Sequence, residues 1–431
     1  MTKEAMDEPG ISSRERYTRF MENSCCTHFS LGPNPFMARY VYAILFLLAS
    51  LLAWAIRDYG RSAISEFRRT NHAQFGPFFC TGRCIRISQS LFLDFNLYAG
   101  LKSCHGARYC LGAEGVLRIS FGCFSFFFVM FLSTAGTKKL DDPRNSWHSE
   151  WWPVKIIMWM GFMAVPFFIP TAFIQLYGKI AHLGAGAFLL IQLVSVINFI
   201  TWLNDHCRSE KNVKRCRIQV LILSIAAYVA SILGIVLMYV WYTPKSTYRL
   251  NILFITLTLV LLQFMTFVSL HSKVKEGFLS PGLMGIYVVF LCWSAIRSEP
   301  QTENWNQKAE ASADWLTIVS FVIAVLVMVM ATFSTGIDSK CFQFKKSEAE
   351  SEDDIPYGYG FFHIVFAMGG MYFAMLFIGW SEHKTMQKWT IDVGWASTWV
   401  RIVNEWLATL VYVWMLAAPL VWKSRRQVES T

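Results

Sequence analysis

Charged side chains are scarce in this 431-residue sequence, at 16% against the roughly 25% usual in soluble domains. Apolar residues supply 54%. That balance excludes an ordinary soluble fold. The length converts better into membrane spans, each needing about 20 apolar residues. A secretory leader is also missing: residues 1–35 are polar and hold no apolar core, so the first apolar run, from Phe36, reads as an uncleaved anchor. No N-x-S/T sequon occurs, so N-glycosylation is not expected. Enzyme signatures are missing too. There is no H-E-x-x-H, no G-x-S-x-G and no G-x-x-x-x-G-K-[ST]. None of the 9 His residues precedes an Asp at the H-x4-D spacing of acyltransferases. These absences point away from an enzyme and from any cofactor. Asp205-His206-Cys207 has the look of a metal fragment but no partner cluster, so no metal site is expected.

What the sequence does have is long apolar runs. They lie at about 36–56, 115–133, 153–174, 180–203, 217–242, 250–270, 283–296, 314–334, 359–379 and 398–422. Runs of this length without alternation exclude barrel strands. Backbone groups in hydrocarbon must then pair within each segment, which makes the segments helices. The fold class expected is all-α: a polytopic membrane protein with about ten spans, the seventh unusually short.

The net charge of +10 does not indicate nucleic acid, because the basic residues sit in the gaps between the runs. Their distribution sets the orientation. With residues 1–35 in the cytosol, the segments on that side (1–35, 134–152, 204–217, 271–282, 335–358 and 423–431) hold 20 Lys or Arg, and the short outer loops hold 7. Both termini are then cytosolic. The loop 57–114 falls outside and carries Cys80, Cys84, Cys104 and Cys110. In an oxidising lumen these form disulfides, with Cys80–Cys110 enclosing Cys84–Cys104 as the favoured pairing; a zinc site is the alternative, on a loose spacing. The cytosolic loop 335–358 carries the acidic run Lys345-Lys-Ser-Glu-Ala-Glu-Ser-Glu-Asp-Asp354.

The remaining signal is polarity inside the spans, which in hydrocarbon defaults to packing or function. Span four carries Gln192, Ser195, Asn198, Thr201 and Asp205, at steps of three and four that drift around the helix. Span five adds Tyr228, and span six Gln263 and Thr266. Together they suggest a polar furrow open sideways to lipid, along which a headgroup could cross while its tails stay in the bilayer. Interhelical hydrogen bonding is the competing reading. Arg401 and Glu405, four apart on span ten, are expected to pair with each other. His363 opens span nine as a buried, satisfied histidine. Gly184-Ala-Gly-Ala187 and Gly369-Gly370 permit close helix approach.

Several runs carry a family resemblance. They are Gly115-Val-Leu-Arg-Ile-Ser-Phe121, Tyr242-Thr243, Leu291-Cys-Trp-Ser-Ala-Ile-Arg-Ser-Glu-Pro300, Tyr357-Gly-Tyr-Gly-Phe-Phe-His363, Trp399-Val-Arg-Ile-Val403 and Ala417-Ala-Pro-Leu420. With the order of the spans, they make the chain resemble the serine incorporator (SERINC/TDE) family, closest to its plant members. The resemblance covers the chain from about residue 35 on. Where animal members carry a dense cysteine cluster before the first span, only Cys25 and Cys26 stand here, and Asn198 stands where the family has an acidic residue. The resemblance implies two helical bundles bridged by a long tilted fourth helix. The organisation expected is a cytosolic segment 1–35, a first group 36–179, a bridging span 180–206 and a second group 207–431. The resemblance further implies a non-enzymatic, scramblase-like transporter of phosphatidylserine or related lipids. The alternative is an accessory role in serine incorporation into phosphatidylserine and sphingolipids. Expected partners are membrane phospholipids, a sterol or sphingolipid, lipid-synthesis enzymes and further copies of the chain. The expected location is the endomembrane system or the plasma membrane.

Overall fold

The computed structural model describes residues 35–74, 110–209, 213–243, 249–272, 274, 277–300, 315–337, 355–380 and 389–429. These fold into eleven α-helices: α1 (Pro35–Gln74), α2 (Cys110–Thr134), α3 (Pro143–Ser149), α4 (Trp152–Ala164), α5 (Thr171–Ser209), α6 (Val213–Tyr242), α7 (Arg249–Leu270), α8 (Leu279–Arg297), α9 (Trp315–Ile337), α10 (Tyr359–Ile378) and α11 (Trp395–Glu429). Nine of them are long and apolar enough to cross a membrane. A bent pair of helices brings the number to up to ten, as a broken span or a re-entrant loop. α4 continues as a 3-10 turn over Val165–Phe168, and α3 precedes it at a bend of 66°. Asp142 caps α3 by accepting from the Arg144 N–H at 3.0 Å. Trp151 then turns the chain in the left-handed region (φ 60°), and Pro153 follows in the first turn of α4.

Two boundaries differ from the sequence expectation. The third span, expected over 153–174, stops at Phe168 because Pro170 cannot continue the ladder. α5 therefore starts at Thr171, well before the expected 180, and runs for 39 residues. At 1.5 Å per residue it is about 58 Å long. The hydrocarbon core is only about 30 Å thick, so tilt or turns beyond the core absorb the excess. The seventh span, expected over 283–296, is 19 residues long, because Leu279-Ser-Pro-Gly282 forms its first turn. A proline there removes no hydrogen bond.

Burial divides the helices into two bundles. The first core joins α1, α2, α9 and α10 with the amino-terminal half of α5, through Ile174, Tyr177, Ala181 and Ala185. α10 is its axis. Phe362, Phe366, Phe373 and Phe377 are fully buried there, and Phe46 meets both Phe366 and Phe373 edge-on at 5.3 and 5.7 Å. The second bundle joins α6, α7, α8 and α11. Leu193, Ile197 and Ile200 of α5 pack into its other side, against Met265, Met284 and Val288. α5 thus belongs to both cores. The grouping of 36–179 against 207–431 is corrected: α9 and α10 come late in the chain but pack in the first bundle. Elsewhere Ile157, Leu183 and Phe267 present bare apolar faces, as lipid contact requires.

Two glycines separate close packing from open helix surface. A Cβ on Gly122 of α2 would lie 2.2 Å from the Phe162 carbonyl oxygen of α4. On Gly186 of α5 it would meet nothing within 4 Å. Gly122→Ala should therefore destabilise the protein by about 1–3 kcal/mol through overpacking against backbone. Gly186→Ala should be neutral or gain up to about 1 kcal/mol of helix propensity. Thermal unfolding in detergent reads both. Equal melting of the two variants would refute the contrast.

Candidate functional site

Polar side chains concentrate where the two bundles meet. Arg401, in the second turn of α11, ion-pairs with Asp392 of the preceding segment. Asp392 is held there by its own N–H, which donates to the Leu376 carbonyl at the end of α10 at 2.7 Å. Tyr372 of α10 and Tyr287 of α8 lie near the guanidinium. Tyr287 lies beside Asn404, one turn below Arg401. Phe188 of α5 stacks on Tyr372 with ring centres 4.9 Å apart. In the amino-terminal half of α5, His182 reaches the Trp380 carbonyl at 3.4 Å. Four helices from both bundles therefore converge on one polar cluster. Within it, Asp392 Oδ1 and Asn404 Oδ1 are buried without a hydrogen-bond partner. Unpaired acceptors in an apolar surrounding are costly unless a donor arrives.

The expected Arg401–Glu405 pair does not form. Arg401 turns outward to Asp392, as a long cationic side chain near a membrane edge does. Glu405, one turn deeper and 1% exposed, faces α7 instead, where it meets the Thr258 hydroxyl at 2.7 Å. Its Oε2 is buried and unpartnered.

The other expected residues do not line one furrow. Ser195 is buried where α5 enters the second bundle, and its hydroxyl has no partner. Gln192 and Asn198 are half-buried on the same helix. Thr201 donates to its own helix at the Ile197 carbonyl, 3.0 Å. Tyr228 and Thr266 do meet, at 2.9 Å, and join α6 to α7. Gln263 faces outward. Cys80, Cys84 and Cys104 lie outside the described residues, as do the Cys110 side chain, residues 1–34 and the acidic run before Ile355. The free cysteines among the described residues, Cys123 and Cys292, are buried. Among those residues no three His, Cys, Asp or Glu side chains converge as a metal would require.

Two further buried networks escaped sequence reasoning. Arg57 of α1 donates to the Thr390 and Phe377 carbonyls at 2.7 and 3.0 Å and pairs with Asp58. Asp58 in turn accepts from the Trp389 N–H and the Trp54 indole. They tie α1 to the segment that carries Asp392. At the opposite end of the first bundle, His148 of α3 lies between His363 Nε2 at 3.0 Å and the Tyr357 hydroxyl at 2.9 Å. Tyr359 stacks on it at 3.9 Å. Tyr42 and Lys155 both donate to the His148 carbonyl, at 3.0 and 2.8 Å. Lys155 is fully buried, with its ammonium 4.4 Å from the Trp152 ring centre. His363 was singled out in the sequence; its partners come from segments with no spacing relation to it.

The fold and the seam define a polytopic α-helical membrane protein with two bundles sharing one long helix. The serine incorporator family model matches residues 17–353 and 336–425. Serine incorporator 3 of Mus musculus is 25% identical, over 93% of this chain and 94% of its own length. A probable serine incorporator of Dictyostelium discoideum is 25% identical, over 84% and 85%. Serine incorporator 5 of Rattus norvegicus is 23% identical, over 76% and 83%. The chain belongs to the serine incorporator family.

Proposed function

We propose that this protein moves phospholipids, phosphatidylserine among them, between the two leaflets without catalysing a reaction. The observation that supports this reading is the polar seam. Arg401, Asp392, Tyr287, Tyr372 and Asn404 lie together between two apolar bundles, with unpaired acceptors at Asp392 and Asn404. A headgroup alone in hydrocarbon loses its water at a cost of several kcal/mol. A seam of two phenolic hydroxyls, one amide and one ion pair would replace part of that water while the tails stay in the bilayer. The site sits in the endomembrane system or plasma membrane, with both termini cytosolic. The relatives' names favour a second reading, support of serine incorporation into lipids.

The test uses purified protein in vesicles carrying fluorescent phosphatidylserine. Dithionite added outside should quench the inner-leaflet probe as well. Asn404→Leu should slow that phase about tenfold, the equivalent of one lost hydrogen bond at the barrier. Quenching no greater than in empty vesicles would overturn the proposal. Lost serine labelling of lipids in a knockout, with no flux in vesicles, would favour the second reading.

A further inference from the structure

A second lipid-facing feature lies away from the seam. α6 and α8 pack closely at their cores: a Cβ on Gly285 would meet Ser231 Oγ at 3.2 Å, and one on Gly234 would meet Val289 Cγ1 at 2.9 Å. On the outward side they part into a cleft of about 280 Å³ between Ala230 and Trp241 on one wall and Ile286 and Trp293 on the other. Ten residues line it, and only Ser231 carries a side-chain hydroxyl. That hydroxyl is already taken, donating to the Ala227 carbonyl at 2.8 Å. The walls therefore offer nothing to a polar group at depth and a continuous surface to hydrocarbon. Trp241 is 63% exposed and Phe290 46%, so the mouth is aromatic. Both tryptophans lie near the helix ends, where indoles settle at the membrane boundary.

The charge lies directly beyond that mouth. Arg297 follows Trp293 by one helical turn and so lies on the same face of α8. Its guanidinium stands 5.4 Å from the Trp293 ring centre. No carboxylate among the described residues ion-pairs with it; Glu299, two residues on, is hydrogen-bonded to Asn251 of α7. An apolar slot with a guanidinium beyond its mouth, paired with no carboxylate among the described residues, suits an acyl tail with an anionic head, and a phospholipid is the bilayer component that carries both.

We infer that the cleft between α6 and α8 holds one acyl chain of a resident phospholipid whose phosphate rests on Arg297. This site does not depend on translocation along the seam. A resident lipid here would bind whether or not the protein scrambles.

Photolabelling tests it. The full-length protein in nanodiscs is irradiated with a phospholipid carrying a diazirine on its acyl chain, and in parallel with a diazirine sterol. Labelled residues are mapped by mass spectrometry. The phospholipid should label the 230–241 and 286–293 segments well above the open face of α7 around Leu253 and Val260. Ala230→Trp, which fills the slot, should abolish that excess. Arg297→Gln should raise the phospholipid concentration for half-maximal labelling about tenfold, as losing one charge-assisted contact implies. Melting temperature checks that both variants fold, and Leu253→Trp on the open face should change nothing. Labelling of the cleft no stronger than of α7, meaning annular lipid only, would overturn the inference. So would preferential sterol labelling, or indifference to Ala230→Trp in a folded variant.

Discussion

Arg118→Leu should destabilise the protein by about 3–5 kcal/mol, the cost of removing one member of a buried ion pair. Arg118 and Glu114 are 3% and 7% exposed on one face of α2. The guanidinium bonds Glu114 Oε1 through Nε at 3.1 Å and again through Nη2. Its Nη1 donates to the carbonyls of Pro166 and Ile169, the latter at 2.8 Å. The Pro166 carbonyl lies within the 3-10 turn and also accepts from the Ile169 N–H at 3.3 Å; the Ile169 carbonyl follows the turn, just before Pro170, which brings no N–H of its own. Thr171 closes the set by donating to Glu114 Oε1 at 3.1 Å. One side chain thus neutralises a carboxylate and caps the corner that launches α5. Leucine removes the donors to all three acceptors: Glu114 Oε1 keeps Thr171 and the Pro166 carbonyl keeps the Ile169 N–H, while the Ile169 carbonyl loses its guanidinium donor. The double variant Glu114→Gln, Arg118→Leu should recover part of the loss, because it removes the stranded charge but not the orphaned Ile169 carbonyl. Arg118→Lys should fall between, lacking the planar fork. Thermal unfolding followed by tryptophan fluorescence gives the order. If Arg118→Leu melts with the wild type, the corner does not depend on this contact.

That corner also shows what sequence alone could reach. The apolar runs disclosed the crossings because hydrocarbon leaves the backbone no other choice. They could not disclose the break at Pro170, since residues 153–174 are apolar apart from Lys155 and Thr171 and the compensating donor comes from α2. Arg118 stood in the sequence as part of a family motif, without its reason. The Arg401–Glu405 pairing failed on the same ground: a spacing of four permits a contact, and tertiary partners decided it otherwise. Asp392 reaches Arg401 because the chain folds back after α10, and Thr258 reaches Glu405 from α7. The drift of polar residues around α5 was visible, and its consequence is now concrete. Ser195 turns into the second bundle, and Thr201 bonds its own helix. Tyr287, Tyr372 and Asn404 gave no sequence signal, because single polar residues on three distant helices acquire meaning only by meeting.

Acidification should weaken the folded protein through His148, which lies on the short helix α3, outside the nine helices long enough to cross by themselves. Burial holds its imidazole well below the ordinary value, and neighbouring His363 and then Lys155 push the same way. Hydrogen bonding explains why the neutral form suits the site. Tyr357 donates its hydroxyl proton to the Pro35 carbonyl at 3.0 Å, so its oxygen accepts from His148 Nε2–H. His148 Nδ1 is then bare and accepts from His363 Nε2–H. A second proton on His148 would set two N–H groups against each other beside a buried ammonium. The folded protein therefore refuses a proton that the unfolded chain accepts below about pH 6.5. With the unfolded state binding more protons, stability rises with pH. The share contributed by His148 should be level above about pH 7 and fall by about 1.4 kcal/mol for each unit below 6.5, until the folded state itself protonates. His148→Gln keeps a donor and an acceptor at the site but cannot titrate. Its melting temperature should start lower and then vary less between pH 7 and pH 5 than the wild type's. Parallel curves for the two proteins would show that the acid sensitivity resides elsewhere.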